Sequence, residues 1–139
     1  MTNFTQNIID HSFEYAKDLL TDTGQCYPFG ATIDKAGIVH PLEFEIEDKK
    51  NMPNNETVIK GLRKYCETEL SANNIKAYGL TYEAVVQLET DADGIDTIAM
   101  DIVESNGEII PIYYFPYEID NSGAVKFGET FAVRRYTNP

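Results

Sequence analysis

Residues 97–119 read TIAMDIVESNGEIIPIYYFPYEI, two apolar runs on either side of the turn Ser105-Asn106-Gly107. Asn and Gly accept the positive φ of tight hairpin turns, so this segment predicts two antiparallel strands. Similar turns separate the neighbouring runs and define four strand candidates in the second half of the chain: Ile75 to Thr90, Thr97 to Glu104, Glu108 to Ile119 and Ala124 to Arg134. Such short connections require antiparallel pairing.

The first half of the chain adds two helices and two strands. Apolar residues recur at helical spacing from Phe4 to Leu20 and from Glu56 to Ala72. Between the helices, Phe29 to Asp34 and Ile38 to Glu47 are predicted as strands. The order αββαββββ predicts an α+β fold, in which an antiparallel sheet of five to six strands carries both helices on one face. A length of 139 residues fits a single domain over residues 1–139.

The chain is strongly acidic, because 11 Lys and Arg stand against 23 Asp and Glu, for a formal net charge of -12. This charge opposes contact with nucleic-acid phosphates or anionic lipid, so neither nucleic acid nor a membrane is an expected partner. The same charge would attract a basic protein. The N-terminal sequence has no secretory pattern, and Cys26 and Cys66 are predicted to be free thiols, so a cytoplasmic location is expected.

The chemistry-bearing residues form no pattern typical of a catalytic or metal site. The acidic turn from Glu89 to Asp96 lacks the register of a calcium loop and is interpreted as a solvated hairpin turn. His11 is predicted on a helix surface, and His40 is interpreted as an interior or edge histidine. No catalytic residue, cofactor or metal is predicted, and we expect a protein that is not an enzyme.

Strand alternation predicts an acidic interface. In the run Ile38 to Glu47, apolar residues face one way, and Glu43, Glu45 and Glu47 face the other, toward solvent. These three carboxylates are candidate contacts for a basic partner.

A second candidate interface lies in the run Ile109 to Tyr117, which is apolar on both faces. If the helices cover one face of this strand, the other face requires a further cover. Tyr113, Phe115 and Tyr117 alternate onto one face and are predicted to meet a protein partner or a second copy of the chain in a homodimer.

The function expected from these surfaces is that of a non-enzymatic protein-binding module, for example immunity-like or chaperone-like partner binding. The alternative is a small-molecule-binding domain with a pocket between sheet and helices, lined by four tyrosines: Tyr78, Tyr82, Tyr113 and Tyr117.

Several short segments of the chain share a pattern of turns and aromatic strands: Cys26-Tyr27-Pro28-Phe29-Gly30-Ala31, Asp96-Thr97-Ile98-Ala99-Met100, Glu104-Ser105-Asn106-Gly107-Glu108, Phe115-Pro116-Tyr117 and Phe127-Gly128-Glu129. In these segments the chain resembles a family of small uncharacterised bacterial proteins, over roughly Tyr27 to Ala132. The resemblance implies a cytoplasmic bacterial α+β domain. That family often places a histidine after the acid corresponding to Glu104, where this chain has Ser105. The resemblance therefore implies no activity and no functional residues.

Overall fold

The computed structural model describes residues 3–44, 52–87 and 93–134. It contains two helices, α1 (Asn3–Thr23) and α2 (Asn55–Ser71). The strands follow the order β1 (Phe29–Asp34), β2 (Val39–Leu42), β3 (Ile75–Val86), β4 (Ile95–Glu104), β5 (Ile112–Ile119), β6 (Val125–Phe127) and β7 (Phe131–Val133). The α+β class and the antiparallel sheet are therefore confirmed.

The strands form one antiparallel sheet in the order β2-β1-β3-β4-β5-β6, and β7 also pairs with β5. Tyr117 of β5 pairs with Phe127 of β6, and Tyr114 of β5 pairs with Phe131 of β7. The two β5 residues are three positions apart in the sequence, whereas their partners are four positions apart. One extra residue between β6 and β7 is the signature of a β-bulge. The predicted strand Ala124 to Arg134 is consequently two short strands.

The two helices lie on opposite faces of the sheet, and the prediction that they share one face is wrong. Alternate residues of β3 join different cores: Ala77 packs with α1 residues, whereas Tyr78 and Leu80 pack with α2 residues. Successive side chains of a strand point to opposite faces, so this alternation places one helix on each side. The physical reason lies in β3 and β4, where residues 77–81 and 97–102 are buried without interruption. Apolar strands of this kind need cover on both faces.

The α1 face holds the larger core. Helix α1 packs over β1, β3 and β4 and contributes a buried row at four-residue spacing: Ile8, Ser12, Ala16 and Leu20. The sheet contributes apolar residues from four strands, including Ile33, Ala77, Met100 and Phe115.

The α2 face holds the smaller core, because the main strand contacts of α2 are with β1 and β3. Val58, Leu62 and Cys66 of α2 meet Tyr78 and Leu80 of β3. Asn54 caps this helix, since its side chain accepts the Thr57 N–H at 2.8 Å.

Both outer edges of the sheet are protected from pairing with another strand. The first edge, β2, has only four residues and contains Pro41, which lacks an N–H donor. The opposite edge is interrupted by the bulge between β6 and β7. Strand β2 is shorter than predicted, and residues 45–47 of the predicted strand lie outside the described residues.

Neither of the two described helices is long and apolar enough to cross a membrane.

Gly79 permits the close approach of α1 to β3, because a Cβ at this position would lie 2.5 Å from Cγ2 of the fully buried Ile8. We expect Gly79→Ala to lower the free energy of unfolding by about 1–3 kcal/mol through overpacking. Urea denaturation measures this change. The control is Gly128→Ala, whose Cβ would make only an ordinary 3.7 Å contact with Pro116. Equal effects of the two substitutions would contradict the close packing of α1 on β3.

Candidate functional site

The outer face of α1 carries a row of acidic side chains at four-residue spacing: Asp10, Glu14, Asp18 and Asp22. We call these four residues the acidic stripe. Each follows a buried residue of the row Ile8 to Leu20 by two positions, which is a rotation of about 200° around the helix. All four side chains are exposed, so the stripe runs along the solvent face of α1.

The acidic stripe opposes the stability of its own helix. Like charges four residues apart destabilise a helix by about 0.2–0.5 kcal/mol per pair, and the stripe contains three such pairs in succession. Helix α1 has no acidic residue in its first turn and no basic residue in its last turn, where Asp22 lies instead. This arrangement is the reverse of the one that the helix dipole favours. Within the described residues, no ion pair joins the stripe to a basic side chain.

Helix α2 carries a balanced set of charges, although it too has no basic residue in its last turn. It contains three acidic and three basic residues, with Glu56 in its first turn. Glu56 also forms an exposed ion pair with Lys60, one turn later, at 3.0 Å. The acidic excess is thus a property of α1 rather than of both helices.

Glu43 lies beside α1, immediately after β2, and its carboxylate accepts a hydrogen bond from the Tyr15 hydroxyl. This hydrogen bond, together with burial, raises the pKa of Tyr15 to about 12. Tyr15 also meets the ring of Phe29 edge-on, at 4.6 Å between centroids. Glu43 is therefore held in place by a side chain that is itself packed.

Tyr15 and Glu43 border a cavity of about 180 Å³ between α1, the start of β1 and the end of β2. We call it the aromatic cavity, and its lining residues are Tyr15, Leu19, Tyr27, Pro28, Phe29, Glu43 and Phe44. Asp18 and Asp22 lie three residues beyond Tyr15 and Leu19, so these two acids are neighbours of the cavity on the helix surface.

Of the three glutamates predicted as an acidic interface, only Glu43 lies within the described residues. It is exposed, as expected, although it follows β2 instead of lying within the strand. Glu45 and Glu47 lie outside the described residues.

The interface predicted at Tyr113, Phe115 and Tyr117 is wrong as an open surface, because all three pack against the α1 core. Phe13 of α1 covers this side of β5, with ring centroids 5.4 Å from Phe115 and 4.6 Å from Phe127. The prediction failed because α1 alone covers this face while α2 lies on the other. A homodimer, and an interface that includes the half-buried Tyr113 and Tyr117, remain predictions.

The face of β5 away from α1 carries Tyr114, which stacks on Phe131 of β7 at 5.3 Å. Ala99 of β4 lies opposite Tyr114 on one side and opposite Tyr82 of β3 on the other, so the three residues lie side by side across three strands. Among the described residues, no helix packs extensively over β5 or β7 on this side.

The structure does not bring the four tyrosines of the alternative pocket together. Tyr78 is buried against α2, and Tyr82 packs with the same core. Tyr113 and Tyr117 pack on the α1 side of the sheet. The sheet itself separates the two pairs, so these tyrosines line no common pocket.

Among the described residues, His40 is exposed on the β1–β2 hairpin, whereas Cys26 and Cys66 are buried. A ring nitrogen of His40 lies 2.7 Å from the carboxylate of Asp34, on the β1–β2 hairpin. This contact lowers the pKa of Asp34. Cys26 belongs to the α1 core and Cys66 to the α2 core, and burial raises the pKa of each thiol to about 12.

Two buried acids of β4 were not among the predicted site residues. Asp101 is paired with Arg63 of α2 at 3.0 Å, and this contact links the second helix to β4. Glu104 accepts hydrogen bonds from the hydroxyl of Thr5 and from the side chain of Asn106, at the N-terminal end of α1. An acid between Met100 and Ile102, inside an otherwise apolar run, is the signal that identifies Asp101 in the sequence.

Within the described residues, no group of three or more His, Cys, Asp or Glu is arranged to hold a metal ion. Comparison of the chain with protein-family models, with curated proteins and with solved structures finds no match. The interpretation of the site therefore depends on its geometry.

The raised thiol pKa values predict that neither cysteine reacts readily in the folded protein. At pH 8 a thiol with a pKa near 12 is ionised to only about one part in ten thousand, and the thiolate is the reactive form. We expect Ellman's reagent to detect almost no thiol in the native protein and both thiols after unfolding in guanidinium chloride. Rapid labelling of one cysteine in the native protein would contradict this prediction.

Proposed function

We propose that this protein is a non-enzymatic binding module whose partner is a basic protein that docks over α1. The observation that carries this proposal is the acidic stripe: four exposed carboxylates on one helix face, unfavourable for the helix and without basic partners among the described residues. A row of charges that weakens its own helix has a physical reason if those charges bind a partner molecule. A basic partner would be attracted over long range by this field and by the net charge of -12.

Glu43 supports the same surface. It adds a carboxylate beside the C-terminal half of the acidic stripe, and the Tyr15 hydroxyl fixes its position. The aromatic cavity next to it offers apolar area, which an interface of charges alone would lack.

The alternative function, a small-molecule-binding domain, has less support. Its four tyrosines lie on two faces of the sheet. The aromatic cavity, at about 180 Å³, is smaller than the range of roughly 300–1,000 Å³ usual for drug-sized ligands. A cavity of about 440 Å³ between the end of α2 and the β4–β5 connection falls in that range, but none of its lining residues is a tyrosine.

Charge reversal on α1 tests the proposal. We expect Glu14→Lys with Asp18→Lys to abolish capture of a basic protein from a lysate of the source cells, because the partner then meets like charge. The same variant should be at least as stable as the wild type, since the substitutions remove repulsion within α1. Pull-down with identification of the bound protein, together with thermal denaturation, measures both effects.

The matched control is Glu56→Lys with Glu67→Lys, which changes the net charge equally on the outer face of α2. This control should still capture the partner. Capture by the wild type should also fall as salt rises, because the Debye length shrinks from about 8 Å at 0.15 M to about 3 Å at 1 M. Identical capture by both charge-reversal variants would contradict a partner site on α1.

A further inference from the structure

The aromatic cavity differs from the other cavities in its lining. Four of its seven lining residues are aromatic and one is acidic. The cavity beside Glu104 and Glu108, of about 160 Å³, has a single aromatic residue, and the cavity between β5 and β6, of about 260 Å³, contains Glu118 and Lys126 together. A further cavity, of about 440 Å³, between the end of α2 and the β4–β5 connection has no aromatic lining residue. Aromatic walls with one carboxylate are the surroundings that favour a cation, because ring faces and the carboxylate both present negative potential.

The carboxylate of Glu43 is positioned for such a contact. Its Oε1 accepts the Tyr15 hydroxyl, and within the described residues no hydrogen bond or ion pair to Oε2 is formed. Glu43 is exposed, so an arriving cation reaches the carboxylate at the rim of the cavity. Tyr15 remains a neutral donor over the physiological pH range because its pKa is about 12.

We propose that the aromatic cavity binds the ammonium end of an alkylamine, as a lysine side chain carries it. The aliphatic stem of such a group packs against aromatic walls while its charge meets Glu43 at the rim. An ammonium group suits a carboxylate with one engaged oxygen, whereas a guanidinium group prefers two parallel bonds to both oxygens. The volume of about 180 Å³ fits a side chain or a small amine. The amine site is argued from the cavity alone. The idea that a basic protein partner supplies the amine rests on the proposed function.

Titration of the full chain with matched small probes tests this proposal. The probes are Nα-acetyl-lysine methylamide, n-butylamine and the uncharged Nα-acetyl-norleucine methylamide. Binding is measured by the NMR chemical-shift changes of Tyr15, Tyr27 and Phe44. We expect saturable millimolar binding of the two amines, and no saturation with the norleucine compound. Binding of the norleucine compound with equal affinity would overturn the proposal.

Two substitutions assign the binding to this cavity. Glu43→Gln should weaken the amine at least about fivefold by removing the charge. Tyr15→Phe keeps the ring but releases the carboxylate, so it should weaken the amine by a smaller factor. The matched control, Glu108→Gln, removes an acid from the cavity beside Glu104 and should leave the affinity unchanged. Equal affinities in the wild type and Glu43→Gln would overturn the proposal.

A short peptide of alternating lysine and alanine identifies the source of the amine. An affinity at least about tenfold above that of n-butylamine indicates a lysine of a protein partner, and equal affinity indicates a free amine. Both results require the amine to occupy the cavity and so support the site. If the α1 charge reversal did not affect partner capture, the proposed function would be overturned. The amine affinities measured in these titrations would still test the site independently.

Discussion

Burial of side chains on both faces of β3 and β4 is the constraint on which the other contacts depend. Residues 77–81 and 97–102 are buried on either side of the sheet, so a helix is needed above and below. Helix α1 packs closely at Gly79, and α2 covers the opposite side and reaches β4 through the ion pair of Arg63 with Asp101. Two layers of helix around one sheet follow from this alone.

The same constraint determines which surfaces remain for function. The buried row of α1 holds the helix on the sheet. Its outer face can therefore carry charges that do not stabilise the helix. The acidic stripe uses this freedom at a cost in helix stability, whereas α2 keeps a balanced set of charges. Glu43 and the aromatic cavity lie beside that stripe because Tyr15 extends from the flank of α1 toward the end of β2.

Much of the fold was predictable from the sequence because periodicity and turn residues act locally. The helix from Phe4 to Leu20 and the antiparallel pairing of β4 with β5 are of this kind, although β5 begins at Ile112 and the predicted strand begins at Glu108. The side of the sheet that each helix covers was not predictable in the same way, because it depends on contacts between residues far apart in the chain. This is why Phe115 was expected on an open face and lies in the core.

The candidate site was predictable only in part. Alternation identified Glu43 as a solvent-facing acid, but its contact with Tyr15 joins residues 28 positions apart and has no local signal. The acidic stripe, by contrast, is visible in the sequence as four acids at four-residue spacing in α1.

The central claim is that adjacent residues of β3 contact different helices, and proton NMR measures this directly. The account predicts nuclear Overhauser effects from Ala77 and Gly79 to Ile8 and other side chains of α1. Among helix side chains, Tyr78 and Leu80 should show them only to those of α2. Nuclear Overhauser effects from neighbouring β3 residues to one and the same helix would contradict the account.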